Sequence, residues 1–233
     1  MMADVNKDVI TGNQMKATED LPLPKRILLA GFVTFVERGY DQTSMDEVAT
    51  AAGTTKRTVY AHFGNKETLF RSAMANAVER FQSELPLLDH SGEPELELVK
   101  FANRFSDLCT WRRAVLLQRL VIGETERAPD IGEMMHDEVI VGAERCVADF
   151  VASRFPANGP AVKAGRDDWA MSMARLFLNM ATGPQRVATL MEARTPAPDH
   201  PIVSGSGRDD AWIRLAVRFF LDGLATAATP RES

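Results

Sequence analysis

From Pro24 onward, most of the chain places its apolar residues three or four positions apart. Leu28, Phe32 and Phe35 repeat in this way before Gly39 interrupts the pattern, and similar spacing recurs along the rest of the sequence. This period matches one face of an α-helix, whereas a strand requires apolar and polar residues to alternate. No alternating run predicts a strand, and no Asn-Gly or Asp-Gly pair joins two such runs as a hairpin turn would. The sequence therefore predicts an all-α fold.

The expected helices divide into a short N-terminal group and a longer C-terminal group. Residues 1–20 lack any apolar period, and we expect a disordered polar tail there. Residues 21–68 are expected to form an N-terminal domain of three helices. A long fourth helix, beginning after Gly64-Asn65, then connects this domain to residues 69–228, which we expect to form a larger helical domain.

Several classes of protein are incompatible with this sequence. Two cysteines, Cys109 and Cys146, are too few to staple a chain of 233 residues and are typical of a reducing compartment. No segment reaches the roughly 18 consecutive apolar residues of a membrane-spanning helix, and the polar N-terminus lacks the apolar core of a signal peptide. We therefore expect a soluble, cytoplasmic protein with no membrane partner.

Recognisable catalytic and metal-binding patterns are also missing from the sequence. The four histidines stand apart from other ligand types, and neither Cys-x-x-Cys nor His-x-x-x-His spacing occurs. Gly205-Ser206-Gly207 lies in a proline-rich loop rather than in the strand-turn-helix that a nucleophile elbow requires. We therefore expect no catalytic residue, no metal site and no cofactor, and we predict that the protein is not an enzyme.

The segment with the clearest functional pattern runs from residue 43 to residue 66. Ser44 and Glu47 have the spacing of a capping box, which predicts the start of a short helix that Gly53 ends in a tight turn. Thr55 is a good N-cap for a second short helix. Two short helices joined in this way are typical of a helix-turn-helix.

Charge distinguishes the second helix of this pair from the chain as a whole. The net charge of the chain is −5, yet this helix opens with Lys56, Arg57 and Thr58 and contains no carboxylate. In a DNA-binding helix-turn-helix these positions enter the major groove first, where side chains reach phosphates and base edges. Helix pairs of this shape also occur in protein cores, so on geometry alone DNA binding and packing remain equal alternatives.

Six short motifs follow one another at fixed spacing in the region from Lys25 to Phe70. They are Gly39-Tyr40, Thr43-Ser44-Met45, Ala51-Ala52-Gly53, Thr58-Val59-Tyr60, His62-Phe63 and Lys66-Glu67-Thr68-Leu69. This pattern closely resembles the DNA-binding region of the TetR (TetR/AcrR) family of bacterial transcriptional regulators. The resemblance implies an N-terminal helix-turn-helix domain and a C-terminal helical regulatory and dimerisation domain. It further implies a ligand-responsive homodimer, usually a repressor, that binds a palindromic operator in double-stranded DNA.

The resemblance also implies roles for individual residues of the helix-turn-helix. The start of the second helix, at Thr43 and Ser44, would face a phosphate with its amides and hydroxyls. The start of the third helix would face the major groove, Tyr60 and His62 would contact phosphates, and Lys66 would lie against the DNA backbone. The candidate DNA-binding residues are therefore Thr43, Ser44, Thr55, Lys56, Arg57, Thr58, Tyr60, His62 and Lys66.

Two C-terminal helices, around Trp169–Met180 and Trp212–Leu224, are apolar over most of their circumference. Such helices must be covered nearly all round. One interior of this size has difficulty burying both, so we expect a subunit interface, with central core helices as the alternative. The candidate interface residues are Trp169, Met173, Phe177, Met180, Trp212, Leu215, Phe219 and Phe220.

The helices between Leu96 and Phe150 contain side chains suited to the wall of a small-molecule pocket. Tryptophan presents a broad face, methionine adapts its shape, and nearby polar groups can orient a ligand. We expect a mostly apolar effector, aromatic molecules included, although any single apolar residue here is equally compatible with ordinary core packing. The candidate ligand-binding residues are Phe105, Trp111, Leu117, Gln118, Met134, Met135 and His136.

Two alternative functions remain open at this stage. A helical interaction protein would keep the helix-turn-helix for packing only. A regulator could also respond to oxidation of Cys109 and Cys146 rather than to a bound ligand, although thiols on apolar faces are more often buried and inert.

Overall fold

The computed structural model describes residues 21–155, 166–201 and 210–228, and the expected tail at residues 1–20 lies outside these ranges. Within them the regular elements are helical, apart from one isolated backbone bridge between Trp111 and Ala197. The predicted all-α fold is confirmed. The helices are α1 (Leu23–Arg38), α2 (Met45–Ala51), α3 (Lys56–Phe63), α4 (Lys66–Glu84), α5 (Pro94–Thr110), α6 (Arg112–Gly123), α7 (Pro129–Met135), a π-helical segment (His136–Val141), α8 (Gly142–Arg154), α9 (Arg166–Leu190) and α10 (Ala211–Ala228).

The described residues pack into two compact units. The N-terminal unit ends at Ala77 and the C-terminal unit begins at Val78, so the division falls within α4. The expected domain boundary between residues 68 and 69 stays a prediction, because α4 continues through both positions without a break.

Aromatic rings and branched aliphatic residues form the core of the N-terminal unit. α2 packs against both α1 and α3, and Val48 and Val59 are fully buried where the helices meet. The Phe70 ring lies edge-on to the rings of Phe35 and Tyr40, with centroids 5.0 and 4.9 Å apart. These contacts bury the apolar face that the sequence period predicts, and they support the short helices α2 and α3, which are too short to be stable alone.

The turn between α2 and α3 depends on Gly53. Its φ is +64°, a backbone conformation that glycine adopts without steric cost. A Cβ atom at this position would lie 2.9 Å from Arg26 Nη2, and that same nitrogen donates a hydrogen bond of 2.6 Å to the Ala52 carbonyl. Arg26 on α1 therefore satisfies a carbonyl at the end of α2 and fixes the turn that orients α3.

Four helices build the core of the C-terminal unit. α9 packs against α5, α8 and α10, and α10 also contacts α5. The largest side chains in this core are fully buried phenylalanines, namely Phe101, Phe105, Phe150 and Phe177. The π-helical segment lies between α7 and α8, and there Gln82 Nε2 donates a hydrogen bond of 3.2 Å to the Glu138 carbonyl. Across the described ranges, no helix combines the length and hydropathy needed to cross a bilayer.

Candidate functional site

The N-terminus of α2 carries a complete capping box, as predicted. The Ser44 hydroxyl accepts a hydrogen bond of 3.2 Å from the Glu47 amide, and the Glu47 carboxylate accepts one of 2.9 Å from the Ser44 amide. The hydrogen bonds from Ser44 lower the pKa of Glu47, and Arg38 adds an ion pair. Because both polar groups of Ser44 already bond Glu47, a phosphate at this position would have to compete with that carboxylate.

Thr43 faces the interior rather than the solvent. Its side chain is 3% exposed, and its hydroxyl lies 2.8 Å from the Gly39 carbonyl and 3.2 Å from the Thr34 carbonyl. Its amide donates a hydrogen bond of 3.3 Å to the Tyr40 carbonyl. The expectation that the Thr43 hydroxyl faces a phosphate is therefore corrected, because that group closes the turn between α1 and α2.

Local hydrogen bonds define both ends of α3. The Thr55 hydroxyl accepts from the Thr58 amide at 3.3 Å and lies 2.9 Å from the Thr58 hydroxyl, so the predicted N-cap is confirmed. Gly64, with a φ of +73°, ends the helix and donates its amide to the Tyr60 carbonyl at 2.8 Å. These caps satisfy backbone groups that an eight-residue helix leaves unpaired.

Burial divides α3 into an inner and an outer face. Val59 is fully buried, whereas Arg57, Tyr60 and His62 are exposed. Within the ranges that the structure describes, no ion pair joins Arg57 to a carboxylate. Arg57 and Tyr60 are three residues apart and therefore lie on one face of the helix, where their polar ends can reach a partner.

Lys56, at the start of α3, forms an ion pair across the helix-turn-helix. Its Nζ lies 2.6 Å from Asp46 Oδ2, and this hydrogen bond raises the pKa of Lys56. Both side chains are exposed, so the pair adds little to stability. A DNA phosphate can replace the Asp46 carboxylate as the partner of this ammonium group, because the released carboxylate is exposed and can be hydrated by water.

Lys66, at the start of α4, contacts the turn that follows α1. Its Nζ lies 4.6 Å from the centre of the buried Tyr40 ring and donates a hydrogen bond of 3.2 Å to the Asp41 carbonyl. These contacts hold the ammonium group beside the turn and leave it half-buried. Neither Lys66–Tyr40 nor Arg26–Ala52 was foreseen from the sequence, because no local pattern reports contacts between residues about 26 positions apart.

The candidate ligand-binding residues occupy different environments in the C-terminal unit. Phe105 and Leu117 are buried, and Gln118 donates a hydrogen bond of 2.8 Å to the Cys109 carbonyl at the end of α5. Met134 and Met135 are half-buried on α7. His136 is exposed, and its Nδ1 lies 2.9 Å from Asp137 Oδ1, so its ring does not face the interior as a ligand-orienting group would.

Trp111 is held at the corner between α5 and α6. Its ring lies edge-on to the His200 ring at 4.8 Å, and the adjacent Arg112 amide donates to the Ala197 carbonyl at 2.8 Å. His200 Nε2 is also 3.2 Å from Glu84 at the end of α4. Burial and the positive charges nearby lower the pKa of His200 to about 4, so this ring is neutral at physiological pH.

The eight candidate interface residues divide into three groups by exposure. Trp169, Phe177 and Phe220 are buried within their own unit, which corrects their expected place in a subunit contact. Met173 and Met180 are half-buried against the same core. The exposed candidates are Trp212, Leu215 and Phe219, which follow one stripe of α10.

Three further large apolar side chains, which the sequence pattern did not single out, are exposed on α9 or directly after it. They are Leu176, Val187 and Met191, each more than half exposed. Trp212 Nε1 donates a hydrogen bond of 2.9 Å to the Met180 carbonyl and so connects the two helices. Together Leu176, Val187, Met191, Trp212, Leu215 and Phe219 define the apolar stripe of α9 and α10.

Neither cysteine has the properties of an activated thiol. Cys109 is buried, and burial raises its pKa to about 11. Cys146 lies on the exposed side of α8, where partial desolvation of its thiol and the nearby Asp149 carboxylate raise its pKa as well. A reactive thiol needs a lowered pKa, so this environment disfavours the alternative of a thiol-based sensor. Among the described residues, no group of three or more potential ligands could hold a metal ion.

Two family profiles match this chain. Residues 27–73 match the bacterial regulatory proteins of the tetR family, and residues 96–223 match the C-terminal domain of AefR-like transcriptional repressors. The first match contains α2 and α3, and the second covers more than half of the chain.

Two curated relatives are HTH-type transcriptional regulators. The HTH-type transcriptional regulator YhgD of Bacillus subtilis is 30% identical over 131 residues, which are 56% of this chain and 65% of YhgD. The HTH-type transcriptional repressor BepR of Brucella suis biovar 1 is 41% identical over 58 residues, 25% of this chain and 27% of BepR. The aligned parts thus span less than two thirds of the length of these relatives.

Solved structures match over most of the chain. A regulator from Mesorhizobium loti assigned to the TetR family aligns with a TM-score of 0.66 and 23% identity, over 86% of this chain and 96% of its own, which shows the shared fold. The Flavonoid-responsive Regulator FrrA aligns with a TM-score of 0.63 and 25% identity, over 90% of this chain and 98% of its own.

Proposed function

The chain belongs to the TetR family of bacterial regulatory proteins, and from that membership we propose that it is a dimeric repressor of a palindromic operator. As a member of this family it is a DNA-binding transcriptional regulator and not an enzyme. A small, mostly apolar molecule releases it from the operator by binding to the C-terminal unit. Because operator DNA lies in the cytoplasm of a bacterium, the protein acts there.

The exposed polar face of α3 is the observation that carries the DNA-binding part of this proposal. Val59 holds the helix on the N-terminal unit, while Arg57 and Tyr60 extend from the opposite side and Lys56 stands at its first position. An arginine that enters the major groove can donate two hydrogen bonds to one guanine. Lys56, Tyr60 and His62 contact phosphates and so set the register of the helix on the duplex.

The capping residues play supporting roles in the proposed DNA contact. Thr55 and Thr58 fix the start of α3, and Lys66 holds the turn after α1 beside the Tyr40 ring. Ser44 offers a phosphate contact only where the phosphate displaces Glu47, and Thr43 is left out of the proposed contact set because its hydroxyl is already bonded.

A second copy of this chain is the proposed partner of the apolar stripe of α9 and α10. Six large apolar side chains are exposed on the two packed helices and directly after α9, and exposed apolar side chains concentrated on neighbouring helices are typical of a protein–protein interface. A palindromic operator has two half-sites about 34–36 Å apart, which a two-fold symmetric dimer can contact together.

The effector is proposed to bind where α5 and α6 meet in the C-terminal unit. Phe105, Trp111 and Leu117 supply apolar wall, and Gln118 lies beside the end of α5. Met134 and Met135 on α7 contribute adaptable side chains, whereas the outward-facing His136 is left out of the proposed site. The likeness to a flavonoid-responsive regulator supports a small, mostly apolar effector, aromatic molecules included.

Operator binding that depends steeply on salt is the first expected result. The purified chain should shift DNA from upstream of its own coding region, because regulators of this kind often control neighbouring genes. The affinity should fall by about a hundredfold or more between about 50 and 200 mM salt, since phosphate contacts release counterions. A fluorescence anisotropy titration measures this slope, and failure to bind an inverted repeat in that region at low salt would contradict the proposal.

Effector binding should change the emission of Trp111. A flavonoid, chosen because of the likeness to FrrA, should quench tryptophan emission and release the operator over the same concentration range. A Trp111→Phe variant should lose most of the quenching and keep operator binding. A variant that retains the whole fluorescence response, or operator release that requires an oxidant, would show that the effector site is misplaced.

A further inference from the structure

Two buried polar atoms of the C-terminal unit have no hydrogen-bond partner within the described residues. They are Arg186 Nε on α9 and Ser106 Oγ on α5, and Ser106 is 2% exposed. A buried donor that is left unsatisfied costs the full free energy of its desolvation. Both atoms are therefore available to a hydrogen-bonding group that enters this region.

The guanidinium of Arg186 lies over an aromatic ring and has no ion-pair partner among the described residues. Its Cζ lies 5.2 Å from the centre of the Phe105 ring, and its charge also acts on the Cys109 thiol. Within the described ranges, no ion pair joins it to a carboxylate. Arginine cannot lose its proton in a protein, so its charge must be balanced by another group or by water.

Nearby arginines of the same unit differ from Arg186 in this respect. Arg104 pairs with Glu84 at 2.9 Å, Arg119 pairs with Glu192 at 2.6 Å, and Arg175 pairs with Glu144 at 3.2 Å. Arg186 is half-buried, so part of the guanidinium remains open to an incoming molecule. Of these four arginines, Arg186 is the one without a carboxylate partner in the described part of the chain.

Helix geometry gathers the surrounding groups onto one side of α5. On α5, Cys109 lies one turn after both Phe105 and Ser106 and is placed between them around the helix axis, next to the end of α5 that leads into α6. α5 packs against α9, which carries Arg186. The guanidinium thus lies over the ring of Phe105, and Ser106 is the next residue along α5.

We propose that Arg186 and Ser106 bind the carboxylate of the effector, which is an apolar carboxylic acid whose body lies against Phe105. The proposal rests on the proposed function and narrows its effector class. A guanidinium presents two parallel N–H groups that match the two oxygens of a carboxylate, and the hydroxyl donates a third hydrogen bond. One arginine and one hydroxyl suit a single negative charge better than a phosphate, which normally needs more cationic partners.

The site is also connected to the helix that begins in the N-terminal unit. The Phe105 ring lies edge-on to the Phe81 ring of α4, with centroids 6.0 Å apart. An acid that pulls Arg186 away from the face of Phe105 changes the packing of both rings. It can thus favour one position of α4 over another, which is what a ligand must do to shift a two-state regulator.

The test uses the full-length chain and five probe compounds. Cinnamate and octanoate are the acids, cinnamamide and octanamide are their neutral isosteres, and a flavonoid is the apolar molecule without a carboxylate. Calorimetry should show each acid binding about tenfold or more tighter than its amide. Arg186→Gln should abolish that preference, Arg186→Lys should retain part of it, and Ser106→Ala should reduce it a few-fold. Arg194→Gln, which removes the same charge from an exposed position after α9, should have no effect.

Thermal unfolding separates a binding role from a structural one. Because Arg186 is an uncompensated charge, Arg186→Gln should leave the Tm of the ligand-free protein unchanged or raised, and the acids should raise only the wild-type Tm. A lowered Tm with equal loss of acid and amide binding would overturn the proposal, as would equal acid binding by wild type and Arg186→Gln.

Failure of this proposal is distinguishable from failure of the proposed function. If the wild-type chain binds its operator but no acid binds or releases it, or if the flavonoid binds more tightly than both acids, only the carboxylate site is wrong. If the chain does not bind operator DNA at low salt, the proposed function itself is wrong.

Discussion

Phe219→Asp should convert the protein into monomers that no longer hold operator DNA. Phe219 is 65% exposed and lies with Trp212 and Leu215 on one stripe of α10. In a two-fold symmetric contact the substitution places two unpaired carboxylates against apolar surface. We expect dimerisation to weaken by about a thousandfold, equivalent to about 4 kcal/mol, which is the size of effect seen for residues at the centre of an interface.

Sedimentation velocity at micromolar concentration measures this change, and circular dichroism checks that the variant remains helical. Leu87→Asp is the matched control, because Leu87 is 91% exposed between α4 and α5 and lies outside the apolar stripe. Phe220→Asp should instead unfold the C-terminal unit, since that ring is buried 4.9 Å from Phe177. A wild-type chain that sediments as a monomer would refute the proposed dimer.

The double variant Lys56→Ala, Arg57→Ala should lose operator affinity by about a hundredfold or more at physiological salt. A base-reading arginine contributes about 1–3 kcal/mol, and each side chain occurs twice in a dimer. Loss of Arg57 should weaken the binding of the operator more than the binding of unrelated DNA. Loss of Lys56 should make the dependence of log affinity on log salt concentration shallower, by about one phosphate contact per subunit.

Lys100→Ala, Arg145→Ala is the control for charge alone. Both residues are exposed on helices of the C-terminal unit, so the variant removes the same two positive charges per chain away from α3. Anisotropy titrations with the operator and with an unrelated duplex should show little change in the control. Unchanged operator binding by the Lys56, Arg57 variant would remove α3 as the recognition helix.

The elements that the sequence predicts correctly depend on contacts between near neighbours. The Ser44–Glu47 capping box and the Thr55–Thr58 cap each join residues three positions apart, so residue type and spacing are sufficient to recognise them. The helical period is local in the same way, which explains why the all-α fold is predictable without tertiary information.

Contacts between distant residues could not be predicted in this way. Arg26 bonds a carbonyl 26 positions away, and Arg186 lies over Phe105, which belongs to a different helix. The inward direction of the Thr43 hydroxyl likewise depends on carbonyls of α1 and the following turn. A pattern of residue types contains no information about which backbone group a long side chain reaches.

The sequence alone determines that this chain is helical, where α2 and α3 begin, and which segment resembles a DNA-binding region. Only the tertiary structure decides the orientation of the last two helices. Apolar residues cover most of the circumference of α10, so their spacing does not show which face of this helix points into the core. Packing of α10 against α5 and α9 buries Phe220 and leaves Phe219 exposed, although the two are neighbours with the same side chain. That difference of one position, about 100° around a helix, arises from the shape of the surrounding core rather than from the side chain itself.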